Sequence, residues 1–173
     1  PPGGQTPGDQ TPPGGQTPVA APAIKKGDTK TVKGVQYKVL DAAKKTVTAY
    51  KAAKKTLSSS KTVTIPDTVT INGVKCKVVQ ISNNAFKGAK KLTTVTMGKN
   101  IKQIGKNAFY NSKKLKKLVF KSTTAPSIST GAFKKTASKV TVTVPKKMSK
   151  SQKKKLQQRL KRAGVNKIQL KTV

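Results

Sequence analysis

The sequence predicts a β-rich α/β solenoid, a short stack of repeats with an N-terminal β-hairpin cap and a C-terminal helix-strand cap. Three observations lead there. A pattern of Ile, Ala-Phe and Leu recurs after 23 residues. A hairpin motif with a turn glycine occurs twice before or beside it. One amphipathic helix with its own start and stop signals follows it.

Taken in chain order, Pro1 to Pro22 contain no Lys or Arg and hold PGGQTP twice, at Pro2–Pro7 and Pro13–Pro18. A Pro/Gly/Gln/Thr stretch cannot bury enough apolar surface to offset its ordering entropy, so residues 1–24 are expected to be a disordered linker. A linker at the start and no initiator Met suggest a monomeric module from the C-terminal side of a larger chain. Residues 25–173 have the length of one domain.

Residues 25–80 read as the hairpin cap. Val32-Lys33-Gly34-Val35-Gln36-Tyr37-Lys38-Val39 parallels Ile71-Asn72-Gly73-Val74-Lys75-Cys76-Lys77-Val78. In each, a turn glycine precedes alternating apolar and polar residues, the period of a half-buried strand. Val35, Tyr37 and Val39 should pair with Val47 and Ala49 across an Asp41–Lys45 turn, and Lys61–Ile65 adds a strand. Cys76 stands in the place of Tyr37, which makes it a packed strand residue. The alternative, a reactive thiol, has no His to lower its pKa, and Lys75 and Lys77 would do so only weakly.

Residues 81–145 carry the repeats. Ile81, Asn84, Ala85, Phe86, Lys90, Lys91, Leu92, Val95 and Met97 recur as Ile104, Asn107, Ala108, Phe109, Lys113, Lys114, Leu115, Leu118 and Phe120. A third copy, shifted by one or two residues, runs through Ile128, Ala132, Phe133, Val140, Val142 and Val144. Each copy is expected to give one short strand and one compact turn, with apolar positions stacking from copy to copy. In residues 146–173, Ser149-Lys150-Ser151-Gln152 reads as a capping box. A helix to about Ala163 then places Leu156, Leu160 and Ala163 on one stripe, Gly164 ends it, and Val165, Ile168 and Leu170 form a last strand.

These repeats resemble the BspA-like (treponemal-type) leucine-rich repeats, whose pattern is IPxxVxxIGxxAFxxCxxLxxI. Ile65-Pro66-Asp67-Thr68-Val69 matches its opening, Met97–Phe109 its opening and middle, and Ile81–Phe86 its middle. Ala89 and Ser112 stand where the family often has Cys, and the second hairpin motif is inserted between Val69 and Ile81. The resemblance spans Thr62 to Val144. It implies a leucine-rich-repeat fold over residues 25–173 and a non-catalytic module that is secreted or exposed at the cell surface, often in adhesion. It fixes no binding residues.

Composition narrows the chemistry. The chain has 38 Lys and Arg against 4 Asp and Glu, a formal net charge of +34. All the basic residues except Arg159 and Arg162 are lysine, and the acids are Asp9, Asp28, Asp41 and Asp67. With no His and no Glu, general acid–base catalysis loses its usual side chains, and a Ser-His-Asp or Cys-His nucleophile cannot be assembled. Clustered metal ligands are missing, so no metal or cofactor is expected. One cysteine cannot form an internal disulfide. No apolar run approaches the ~20 residues of a membrane span, no leader pattern is visible, and no LPxTG-like signal occurs.

Binding is therefore the expected role, and the lysines are its candidates. Lys90, Lys91, Lys113 and Lys114 share one place in successive repeats and should form a ladder about 4.8 Å apart; Lys116 and Lys117 extend it. Lys150, Lys153, Lys154, Lys155, Arg159, Lys161 and Arg162 give the helix a basic polar face. Lysine favours point-charge attraction over geometry-specific recognition. The partner expected is an anionic polysaccharide or cell-wall polymer. A host matrix protein or host glycan is the adhesin alternative. Nucleic acid, bound non-specifically, is the rival of a different class, although Phe86, Phe109 and Phe133 occupy core positions and leave few aromatics to stack on bases. Solubility alone would need a net charge of only about 2–8.

Overall fold

The protein is described by a computed structural model covering residues 23–173; the PGGQTP repeats and residues 1–22 of the expected linker lie outside the described residues. Twelve strands and two helices follow in the order β1 (Thr29–Val32), β2 (Val35–Asp41), β3 (Thr46–Ala52), α1 (Lys54–Ser59), β4 (Thr62–Ile65), β5 (Thr68–Ile71), β6 (Val74–Ile81) and β7 (Thr94–Met97). Then come β8 (Gln103–Ile104), β9 (Lys117–Phe120), β10 (Ser127–Ile128), β11 (Lys139–Val144), α2 (Lys150–Arg162) and β12 (Lys167–Thr172).

The two hairpin motifs fold alike because their turns carry the same chemistry. Lys33-Gly34 sits at φ 47° and 76°, and Asn72-Gly73 at 46° and 76°. Two consecutive left-handed residues make the turn whose twist matches antiparallel strands. β1 pairs β2 around the first turn, and β5 pairs β6 around the second. Tyr37 and Cys76 both point inward and are buried.

The strands form two sheets. One runs β1-β2-β3-β6-β8-β10, with β5 also on β6. The other, β4-β7-β9-β11-β12, is parallel throughout. Each repeat therefore contributes two strands and not one. A strand lies in the first sheet, an Ala-Phe turn follows, and a second strand lies in the second sheet. The short strands β8 and β10 have two residues each, too few for alternation to be visible in the sequence. Lys61–Ile65 also differs from expectation: its strand, β4, leaves the hairpin and pairs β7 in the second sheet.

Hydrophobic columns run from repeat to repeat. Ala49, Ile81, Ile104 and Ile128 are in register across the first sheet. Val63, Val95, Leu118, Val142 and Leu170 are in register across the second. Between the sheets, Phe86, Phe109 and Phe133 stack with ring centres 5.1 Å apart and planes within 4° and 6° of parallel. Backbone bonds repeat beside the rings: Ala52 N–H to Ala85 C=O, Phe86 to Ala108, Phe109 to Ala132, and Phe133 to Ala163, at 2.7–2.9 Å. Ala52 thus takes the donor position of a phenylalanine at one end of this column, and Ala163 the acceptor position of an alanine at the other, with no Phe after it.

That ladder explains how α2 docks. Leu156, Leu160 and Ala163 are buried, and Gly164, at φ 105°, turns the chain into β12. A Cβ on Gly164 would lie 2.8 Å from Lys134 Cα, closer than side chains tolerate. The capping box is half formed. Ser149 Oγ accepts the Gln152 N–H at 3.3 Å, but the Gln152 side chain accepts the Ala125 N–H at 2.9 Å instead.

Two substitutions test this account by urea unfolding. Phe109→Ala removes the middle ring and should cost about 3–5 kcal/mol. Gly164→Ala combines a left-handed backbone with a backbone clash and should cost about 1–3 kcal/mol.

Candidate lysine-rich binding surfaces

The outer face of the second sheet is set by the residues between the core columns. One row reads Thr62, Thr94, Lys117, Thr141, Gln169, and the next reads Thr64, Thr96, Val119, Thr143, Lys171. Threonine suits this face because β-branching fits an extended backbone while its hydroxyl meets water. Towards the α2 end, lysines enter the rows. Lys116, Lys117, Lys139 and Lys171 border a shallow groove of about 620 Å³ with Thr141, Thr143 and Gln169.

The other candidate lysines fall on different faces. Lys90, Lys113 and Lys114 line one hollow of about 250 Å³ with Asn111. This brings together three of the four lysines expected to form a ladder. Lys116 and Lys117 do not extend that hollow; they belong to the sheet groove. Lys154 and Lys161 share a hollow of about 530 Å³ with Asn166 and Lys167, between α2 and β12. Arg162 turns into a further cleft, described below. Lys91, Lys150 and Lys155 are exposed and Lys153 half-buried, and none of the four lines these hollows.

Arg159 serves the fold. Its Nη1 donates to the carbonyls of Ala125 and Pro126, both at 2.8 Å. With the Gln152–Ala125 bond, this ties α2 to the loop between β9 and β10. Helical spacing placed Arg159 among the basic face residues; only the loop's position shows that its guanidinium is already used.

The acids do not neutralise the surface. Asp28 accepts the Lys25 N–H and the Asn72 amide, Asp41 accepts the Lys44 N–H, and Asp67 accepts the Lys99 N–H. Among the described residues only two ion pairs form, Lys44–Asp41 at 3.4 Å and Lys99–Asp67 at 3.9 Å. The Lys44 backbone N–H, more than its ammonium, holds the Asp41 carboxyl below the usual range. All three aspartates brace turns, so almost every lysine faces water unpaired.

One cleft was not foreseen as a site. It measures about 650 Å³ and is lined by Lys106, Asn107, Tyr110, Thr130, Gly131, Lys134, Lys135, Arg162, Gly164 and Asn166. Tyr110 is half-buried, as a filler would be, but the ammonium groups of Lys87 and Lys135 lie 5.7 and 5.5 Å from its ring centre. A hydrogen bond from Lys135 lowers the phenol pKa, helped by the charges of Lys135, Lys134 and Lys87. Tyr37 behaves oppositely: burial pushes it up to about 12. Burial likewise raises the Cys76 thiol, which fits a packed strand residue. No group of three His, Cys, Asp or Glu occurs close together among the described residues, and no helix among them is long and apolar enough to cross a membrane.

Comparison with known proteins supplies the context. A family profile described as BspA type leucine rich repeat region, in six copies, matches residues 50–161. The match extends beyond Thr62–Val144 in both directions, taking in part of β3 and most of α2. Among solved structures, a leucine rich cell surface protein from Faecalibacterium prausnitzii A2-165 is similar, with a TM-score of 0.52 and 24% identity. The similarity covers 70% of this chain and 38% of that one. Curated proteins give no match.

Two measurements test these assignments. Arg159→Lys keeps the charge but loses the paired bonds, and should cost about 1.5–3 kcal/mol in urea unfolding. In an NMR titration, the Tyr110 ring should ionise well before Tyr37. Lys135→Gln should move the Tyr110 midpoint upward, because the ammonium that favours the phenolate is gone.

Proposed function

Because the chain belongs to the BspA-type leucine-rich repeat family, we propose that it is a non-catalytic binding module of a secreted or cell-surface protein, attaching that protein to anionic surface polymers. The observation that carries this reading is the unpaired lysine surface. From Lys25 onward the chain holds all 38 basic residues and three aspartates, and those aspartates are committed to turns. Two lysines ~5 Å apart in water repel by under 1 kcal/mol, but repulsion summed over this surface favours capture of a polyanion, which also releases counterions. The grooves are open and each carries lysines among its lining residues, as suits a long flexible polymer.

Within this reading the repeats form a short solenoid. The β1–β3 hairpin region closes one end and α2 with β12 closes the other, and residues 1–24 act as the tether. Cell-surface placement draws on the family and on the similarity to the leucine rich cell surface protein of Faecalibacterium prausnitzii. A nucleic-acid role is less well supported, because the three stacked phenylalanines are buried and Tyr110 is flanked by ammonium groups.

Binding to an immobilised acidic cell-wall polysaccharide is expected to be tight at 20 mM salt and to weaken more than ~10-fold by 200 mM. Stripping the acidic polymer from isolated cell walls should abolish retention. Retention unchanged by stripping would contradict the proposal.

A further inference from the structure

We infer that the cleft around Tyr110 is a discrete site for one acidic sugar residue of a polysaccharide, held by its carboxylate or sulfate group. This deepens the polyanion reading and rests on it.

The repeat builds the site. Lys87, Tyr110 and Lys134 occupy one position in three successive turns, and Gly88, Asn111 and Lys135 occupy the next. Backbone bonds from Gly88 N–H to Tyr110 C=O at 2.8 Å and from Asn111 N–H to Lys134 C=O at 3.0 Å hold these positions side by side. Tyr110 is thus the one aromatic in a column of lysines. Its ring draws the Lys87 and Lys135 ammonium groups from the repeats on either side, a cation–π attraction that restricts where they can swing. Lysines so restrained lose less entropy on binding an anion than the free lysines of the sheet groove.

Arg162 gives the cleft geometry. It is one of only two arginines in the chain, and the other, Arg159, is spent on two backbone carbonyls. Arg162 makes no ion pair among the described residues. Arg162 lines the cleft together with Lys134, and a planar guanidinium can grip two oxygens of one carboxylate or sulfate. Lys106 adds one more positive charge to the lining, and Asn107, Thr130 and Asn166 add neutral polar groups. Two amides and a hydroxyl match sugar hydroxyls, which both donate and accept. The volume of about 650 Å³ lies within the ~300–1,000 Å³ of ordinary ligand clefts. A nucleic-acid strand fits less well, because the ring that a base would stack on is occupied by lysines.

The test is a titration of the folded chain with three probes of equal charge: a uronate oligosaccharide, a sulfated oligosaccharide and a single-stranded DNA oligomer. Calorimetry gives affinity, and the Tyr110 ring signals report occupancy. Lys134→Gln with Arg162→Gln is compared with Lys25→Gln with Lys26→Gln, which removes the same charge near the opposite edge of the first sheet. The cleft pair should weaken binding of at least one oligosaccharide tenfold or more, and the control pair less than twofold. The sugar chain more affected identifies the anion. Bound sugar should also raise the Tyr110 pKa towards its ordinary value by shielding the ammonium groups. Arg162→Lys, which keeps the charge, serves if the double variant does not fold; it should lose severalfold affinity, and unchanged affinity would overturn the fork's role. Equal weakening by both pairs would overturn this site and leave the polyanion reading standing. No binding of any probe at low salt would overturn both. DNA bound as tightly, with the same dependence on Arg162, would overturn the sugar assignment.

Discussion

Everything in this structure depends on the register between successive repeats. A chain with this much unpaired positive charge gains nothing from its surface, so cohesion must come from within. The Ala-Phe turns supply it. Their backbone bonds run Ala52 to Ala85, Phe86 to Ala108, Phe109 to Ala132 and Phe133 to Ala163, and the three rings stack directly beside them. Alanine suits the buried position because its small side chain lets the next turn approach. Phenylalanine is required because each ring buries against the one below. The same register that packs the core also aligns the lysines, so cohesion and repulsion share one geometry.

That geometry sorts the lysines by role more than their sequence spacing does. Residues that look equivalent on a helix or in a repeat end with different partners. Arg159 is locked to the Ala125 and Pro126 carbonyls, whereas Arg162, three residues on, opens into a cleft. Lys116 and Lys117 follow Lys113 and Lys114 closely in the chain but join a threonine-lined groove on another face. The acidic residues show the same division: Asp28, Asp41 and Asp67 are spent on backbone N–H groups. The basic surface is therefore divided into several open grooves and one cleft with an aromatic and an arginine.

Much of the fold could be read from residue spacing. Lys33-Gly34 and Asn72-Gly73 announced two hairpins, and the Asn84/Asn107 and Phe86/Phe109 recurrences announced the repeat. What escaped had physical reasons. Two-residue strands such as β8 and β10 have no alternation to detect. Ala52 stands in for a Phe and Ala163 for an Ala with no Phe after it, so the motif's reach at its ends depends on backbone position. Helix α1 is short and lacks a side-chain cap. For the candidate surfaces, the sequence could name the basic residues but not their neighbours. Tyr110 gained meaning only when the fold set Lys87 and Lys135 beside it, though its place in the Lys87–Lys134 column was a usable signal.

The central claim is that internal register holds the fold together against its own surface charge. Urea unfolding measured at 20 mM and 500 mM NaCl tests it directly. Screening shortens the reach of repulsion to a few ångströms, so the unfolding midpoint should rise with salt while the dependence on urea stays the same. A midpoint that is unchanged or falls with salt would contradict the claim, because the lysine surface would then impose no strain for the repeat register to resist.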